Sequence, residues 1–231
     1  MIKQIDKETI ERRNTEYNKK ARKYPAYLSL AIPIMLSVVM GVQDVTRTGI
    51  WTKGLTYLLS ISAISAALLF LLRFSLRFIA NFYPERILFS GRLKPTTHIL
   101  FSDDDTYTEE QKADIRKKIM VKKKIDLQKY KPKTYKNKKY VKRVDEAVRW
   151  LLDITRFDEI LFEYNCVFGF WRNLTAALLV DAILVFVLAA INKWCYTLPL
   201  GEYLVGIGVL VLLLTILVTW VAYCNGKTFA K

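Results

Sequence analysis

Four apolar runs, at 24–42, 55–72, 170–191 and 203–223, alternate with heavily basic segments in a chain of 231 residues, and that alternation limits what the chain can fold into. A hydrocarbon core of about 30 Å needs a helix of roughly 20 apolar residues, and each run approaches or meets that length, the second with an extension towards Phe82. Just over half of the residues are hydrophobic, yet the formal net charge is +15, so two very different kinds of sequence must be kept apart. The first run follows a polar segment, contains Pro33 and has no small-residue cleavage pattern after it, so it reads as a retained helix rather than a signal peptide.

Basic residues near helix ends resist translocation and so set orientation. The segment before the first run carries Lys3, Lys7, Arg12, Arg13, Lys19, Lys20, Arg22 and Lys23, and the connection between the second and third runs holds most of the remaining Lys and Arg. The first short loop has only Arg47 and Lys53, and the last has only Lys193. Trp51, Tyr57, Trp194, Tyr196 and Tyr203 are expected in an outer aromatic belt, with Tyr24, Phe82, Phe170, Trp171, Trp220 and Tyr223 near the inner face. The expected fold class is an integral membrane α-helical protein with four transmembrane helices. A small basic α+β cytoplasmic domain is inserted between helices 2 and 3. The divisions are a cytoplasmic N-terminal segment 1–23, transmembrane helices 24–83, the basic domain 84–169, transmembrane helices 170–223 and a cytoplasmic tail 224–231. The expected location is the cell inner membrane, multi-pass, with both termini cytoplasmic.

Within the basic domain, Thr96 to Phe101 has the β-branched and aromatic content of a short strand, followed by a turn at Ser102 to Asp105. Thr108 then opens a Thr-x-x-Gln capping box, and acidic Glu109 and Glu110 give way to Arg116, Lys117 and Lys118, the charge order that a helix dipole favours. This predicts a helix from Glu109 to Ile125, and Pro132 then marks a loop over 126–139. From Val141 the spacing of Val144, Val148, Leu151, Leu152 and Thr155 predicts a second helix, running on towards the third apolar run with a break near Gly169. So basic a segment has little apolar sequence for a core of its own and is expected to lean on sister subunits or the membrane.

Enzyme signatures are nearly absent: one histidine, His98, no phosphate-binding Gly-rich loop with Lys, and no metal-ligand spacing. No catalytic role, cofactor or metal is expected. Gly206-Ile207-Gly208 sits inside the fourth run, where glycines serve close helix packing. The three cysteines form no framework, because Cys195 falls outside and Cys166 and Cys224 inside.

Asp181 is the sharpest signal. It lies about eleven residues into the third run, which at 1.5 Å per residue places it roughly 16 Å deep. A carboxylate at that depth is costly unless it faces protein or water, so it is a candidate for pore lining or gating. The alternative is a protonated group that ties helices together. Ser65 and Thr215 fall near the same plane, Thr219 shares a helical face with Thr215, and either threonine hydroxyl is a candidate donor to the carboxylate. The second run is rich in Ser and Ala, which suits helix packing and is compatible with a pore wall.

The second signal is a basic stretch interleaved with tyrosines. Lys117, Lys118, Lys122, Lys123 and Lys124 lead into Lys129, Tyr130, Lys131, Lys133, Tyr135, Lys136, Lys138, Lys139 and Tyr140. Lysines neutralise phosphates while aromatic faces stack on unpaired bases, the combination used for single-stranded nucleic acid. Anionic lipid is the competing partner. The third signal is Asn165, Arg172 and Asn173 at the membrane entry, candidates for coupling the basic domain to the helix that carries Asp181.

The architecture, the segment Lys94 to Phe101 and the stretch from Tyr164 and Asn165 to Asn173 together resemble the membrane channel subunit of Hailong-type bacterial anti-phage defence systems. The resemblance implies an oligomeric ion channel partnered with a nucleotidyltransferase, whose deoxyadenylate oligomers hold the channel shut until phage activity removes them. The leading expectation is a homo-oligomeric channel effector in the bilayer, gated through its basic domain by a nucleotide or single-stranded oligonucleotide and acting by membrane depolarisation. A non-conducting membrane anchor or scaffold that recruits nucleic acid or a protein partner is the alternative, ahead of a transporter and a membrane enzyme.

Overall fold

The computed structural model describes residues 7–49, 70, 75–76, 78–83, 95–98, 107–127, 138–155, 158–196 and 201–230. Among them there is no strand. The helices are α1 (Lys7–Tyr17), α2 (Tyr24–Thr48), α3 (Pro95–His98), α4 (Glu109–Lys123), α5 (Lys138–Ile154), α6 (Glu159–Ile191) and α7 (Gly201–Ala230). Asn18–Lys23 is a π-helical stretch joining α1 to α2, and Asn192–Tyr196 is another after α6. The second apolar run is described only at its end, where 78–82 is helical. Two helical segments, Glu159–Trp194 and Tyr203–Thr228, are long and apolar enough to cross a membrane.

The chain divides into two compact units. The first comprises Met1–Asn81 and Gly169–Ala222, the second Phe82–Phe168 and Tyr223–Lys231.

In the first unit, packing contacts fix the helix directions. Ala26 and Leu30 of α2 cluster with Ala176 and Ala177 of α6, and Leu36 clusters with Val185 and Ala189, so α2 and α6 run parallel. Leu204 of α7 meets Val185 and Ala189 while Val218 meets Leu174 and Leu178, so α7 runs antiparallel to α6. Leu76 and Ala80 join the Ala26–Ala177 cluster. The opposite faces are left uncovered: Ile183, Val187 and Ile191 on α6, and Val205, Leu210, Leu213, Ile216, Leu217 and Trp220 on α7, are all exposed.

The expected break at Gly169 does not occur, since α6 runs unbroken through it. Gly169 serves close approach instead. A Cβ there would lie 2.9 Å from both the Ala21 Cβ and the Tyr17 hydroxyl. The interruption comes earlier, between α5 and α6, where Asp158 caps the new helix by accepting from the Leu161 N–H at 3.0 Å. Gly208 packs against the Phe186 ring, as the packing reading of that glycine pair requires, whereas Gly206 has open space. Gly169→Val is therefore expected to destabilise the purified chain by about 1–3 kcal/mol through overpacking. Gly206→Ala is expected to be neutral or mildly stabilising, and thermal unfolding in detergent compares the two.

The second unit has a small core, Ile119, Leu127, Tyr140, Val144, Ala147 and Val148, with Ile115, Val141 and Leu151 packed around it. The capping box is formed as read: Gln111 N–H donates to Thr108 Oγ1 at 3.3 Å, and Thr108 N–H donates to Gln111 Oε1 at 3.0 Å. The helix stops at Lys123 because Lys124 takes the left-handed conformation, its N–H donating to the Met120 C=O. The α+β expectation is corrected where the structure describes it: Pro95 to His98 is a helical turn packed on α5, not the start of a strand. Proline's fixed φ suits a first helical position, and burial of Thr97 outweighs the β-propensity of the two threonines. The tail expected at 224–231 is helical as far as Ala230, a continuation of α7.

Candidate functional site

The first unit is built around polar groups that its apolar walls enclose. Asn173 and Asp181 on α6 and Thr215 on α7 are each about 1 % exposed, and Ser29 on α2 is fully buried.

Asn173 has a definite partner. Pro25 has no N–H, so the Ala21 carbonyl four residues earlier loses its normal helical donor, and the proline ring crowds it. The chain opens there into the π-helical stretch, with Tyr24 N–H donating five residues back to the Lys19 carbonyl. Asn173 Nδ2 donates to the Ala21 carbonyl at 2.5 Å, supplying the bond that Pro25 withholds. Of the three coupling candidates, Asn173 thus ties α6 to the entry of α2. Arg172 is half-buried beside it, and Asn165 is half-buried in the second unit. Around the same joint the Arg22 guanidinium donates to Asn18 Oδ1 at 2.6 Å and lies over the Tyr17 ring. One turn earlier, Lys20 bonds Glu16 at 2.6 Å and holds its carboxyl below the usual value.

Asp181 has no such partner. Among the described residues neither carboxylate oxygen is hydrogen-bonded. The helix contacts place it between the Ala177 and Val185 levels of α6, beside Leu30 to Leu36 of α2 and near Val211 to Thr215 of α7. The expectation that a threonine donates to it is corrected. Thr215 Oγ1 donates to the Val211 carbonyl at 2.8 Å, and Thr219 Oγ1 to the Thr215 carbonyl at 2.6 Å. Both protons are spent within α7, the usual resort of hydroxyls in apolar helices. Ser65 lies outside the described residues.

In the second unit, Lys117, Lys118, Lys122 and Lys123 of α4, Lys124 at its C-cap and Lys139 of α5 are all exposed. Lys118 bonds Asp114 at 2.7 Å. Lys112, which sequence reading passed over, is buried with its ammonium on Glu109 at 3.1 Å, and Glu109 also draws in Arg116. Tyr140 is corrected as a stacking group. It is fully buried in the core, which pushes its phenol above the usual value against the opposing pull of Arg116, so it has no free face for a base. Its place in the stripe Tyr140, Val144, Ala147, Leu151 was a readable core signal, masked by the lysines around it. Lys129, Tyr130, Lys131, Lys133, Tyr135 and Lys136 lie outside the described residues, and Lys138 begins α5.

Among the described residues no three His, Cys, Asp or Glu side chains come together as a metal site. Cys166 is buried and Cys224 exposed, and neither forms a disulfide among the described residues. No protein-family model, no curated protein and no solved structure matches the chain.

Proposed function

We propose that the chain is an oligomeric ion channel of four membrane-spanning helices, set in the cell inner membrane with both termini cytoplasmic. Asp181 controls conduction, and the basic second unit receives a nucleotide or single-stranded oligonucleotide that gates it. The observation that carries this reading is the inversion of polarity in the first unit. Its outer faces on α6 and α7 are apolar and exposed, while a carboxylate without a partner among the described residues is enclosed. Apolar surface of that extent suits lipid or sister subunits, and an ionisable group inside it suits an ion or proton pathway. One four-helix subunit is too small to surround a pore and pack a bundle, so closed symmetry completes the wall.

The exposed lysines of α4 and α5 favour a polyanion over a neutral ligand. The Hailong-type resemblance implies its chemistry, a short deoxyadenylate made by a partner nucleotidyltransferase, and a role in anti-phage defence as an effector that depolarises the membrane. The reading assigns the chain no reaction of its own.

Proteoliposomes loaded with a potential-sensitive dye test it. The protein is expected to dissipate an imposed potential, and a short oligodeoxyadenylate on the side of the basic unit is expected to suppress that leak. Binding should weaken log-linearly with salt, with a slope of about 0.7 per phosphate neutralised. Lys122→Gln and Lys123→Gln should lower both affinity and slope. Equal binding of heparin and every oligonucleotide with no change in leak would reduce the unit to a generic basic surface.

A further inference from the structure

The spacing behind the bond between Asn173 and the carbonyl released by Pro25 recurs farther along the same two helices. Pro33 follows Pro25 by eight residues, Ser29 follows Ala21 by eight, and Asp181 follows Asn173 by eight. Asp181 therefore stands 152 residues beyond Ser29, the same separation as Asn173 from Ala21. Pro33 has no N–H to give the Ser29 carbonyl. Ser29 is fully buried, so water does not reach that carbonyl to replace the lost bond. Helical carbonyls point towards the C-terminus while side chains lean towards the N-terminus, so in parallel helices the Ser29 carbonyl and the Asp181 side chain approach one level from opposite sides.

The described surroundings hold acceptors and few free donors. The hydroxyls of Ser29, Thr215 and Thr219 donate to the carbonyls of Ala26, Val211 and Thr215. Among the described residues a carboxylate here has nothing to accept from, while a carboxylic acid has a proton to give and, in the Ser29 carbonyl, an acceptor to which Pro33 offers no N–H. No cation competes in sequence nearby: 30–36 and 211–215 hold no titratable residue, the second apolar run holds none between Tyr57 and Arg73, and α6 holds none between Arg172 and Lys193 besides Asp181 itself.

We propose that Asp181 and the Ser29 carbonyl form a proton-binding site on the seam between α2 and α6, in which the protonated carboxyl donates to the carbonyl that Pro33 leaves without an N–H. Loss of the proton breaks that bond and leaves a charge facing a carbonyl dipole, so deprotonation pries the seam apart. The site goes beyond the conduction reading and stands without it, since the bond can form in a chain that passes no ions.

Infrared difference spectroscopy and thermal unfolding of the full chain in detergent test it together. Wild type at neutral pH is expected to show a protonated-carboxyl band that vanishes in Asp181→Asn. In Pro33→Ala, which returns an N–H to the Ser29 carbonyl, the band should move towards the frequency of an acid that donates to nothing. Asp181→Asn should keep the midpoint near wild type, because its amide donates as Asn173 does. Asp181→Leu should lower the midpoint by on the order of 5 °C, and by much less when Pro33→Ala is also present. A carboxylate band in place of the acid band, or an acid band unmoved by Pro33→Ala, overturns the site. So does an equal Asp181→Leu loss in both backgrounds. If Asp181→Leu does not fold, the two band measurements decide alone.

Discussion

Asn173→Leu is expected to lower the thermal midpoint of the purified chain by on the order of 5 °C, because it strands the buried Ala21 carbonyl that Asn173 now satisfies. The estimate follows from about 1–3 kcal/mol for an unmet buried polar group, spread over the unfolding entropy of a chain of this size. The cause is separable from mere loss of packing. Pro25→Ala supplies an N–H that closes an ordinary helical turn onto Ala21, so it should recover much of the loss in the double variant. Circular dichroism melts of the four chains make the cycle. Equal cost of Asn173→Leu with and without Pro25 would mean that the side chain acts through shape and not through that bond.

The second large effect is on ion flow. Asp181→Asn keeps the size of the side chain and its capacity to hydrogen-bond but cannot ionise, so assembly should be unchanged in native mass spectra. An ionised Asp at the centre of a spanning helix costs about 2.5–3.5 kcal/mol, and removing that possibility shifts a closed–open equilibrium by up to roughly three-hundredfold. The pH dependence of the current should vanish with it. Unaltered currents in well-folded Asp181→Asn protein would return the residue to a structural tie.

What the sequence made legible was local or periodic. The Thr108–Gln111 capping box was readable because four consecutive residues and one helix dipole decide it, and the structure forms it bond for bond. The apolar stripe of α5 was readable from spacing alone. Four spans were read from run length, and two of the described segments meet that test. The strand at Thr96 failed because propensity was weighed without the packing partner: Pro95 starts a helical turn, and α5 buries it.

Gly169 was read as a break because glycine weakens helices. Its role depends on Ala21 and Tyr17, about 150 residues earlier in sequence, which no local pattern reports. Asn173 is the same case. Its partner exists only because Pro25 releases a carbonyl, and that link requires knowing that α2 and α6 lie in parallel contact. Asp181 was found by depth, yet its threonine neighbours were misassigned, since hydroxyls in an apolar helix turn to their own backbone before reaching across.

Single-channel recording from purified protein in a planar bilayer tests the central claim most directly. The account predicts discrete current steps under an applied potential, closed by oligodeoxyadenylate on one side of the bilayer only and altered in pH response by Asp181→Asn. A bilayer that stays silent at protein densities where incorporation is verified, with oligonucleotide still bound, would contradict it and leave a membrane anchor that recruits nucleic acid.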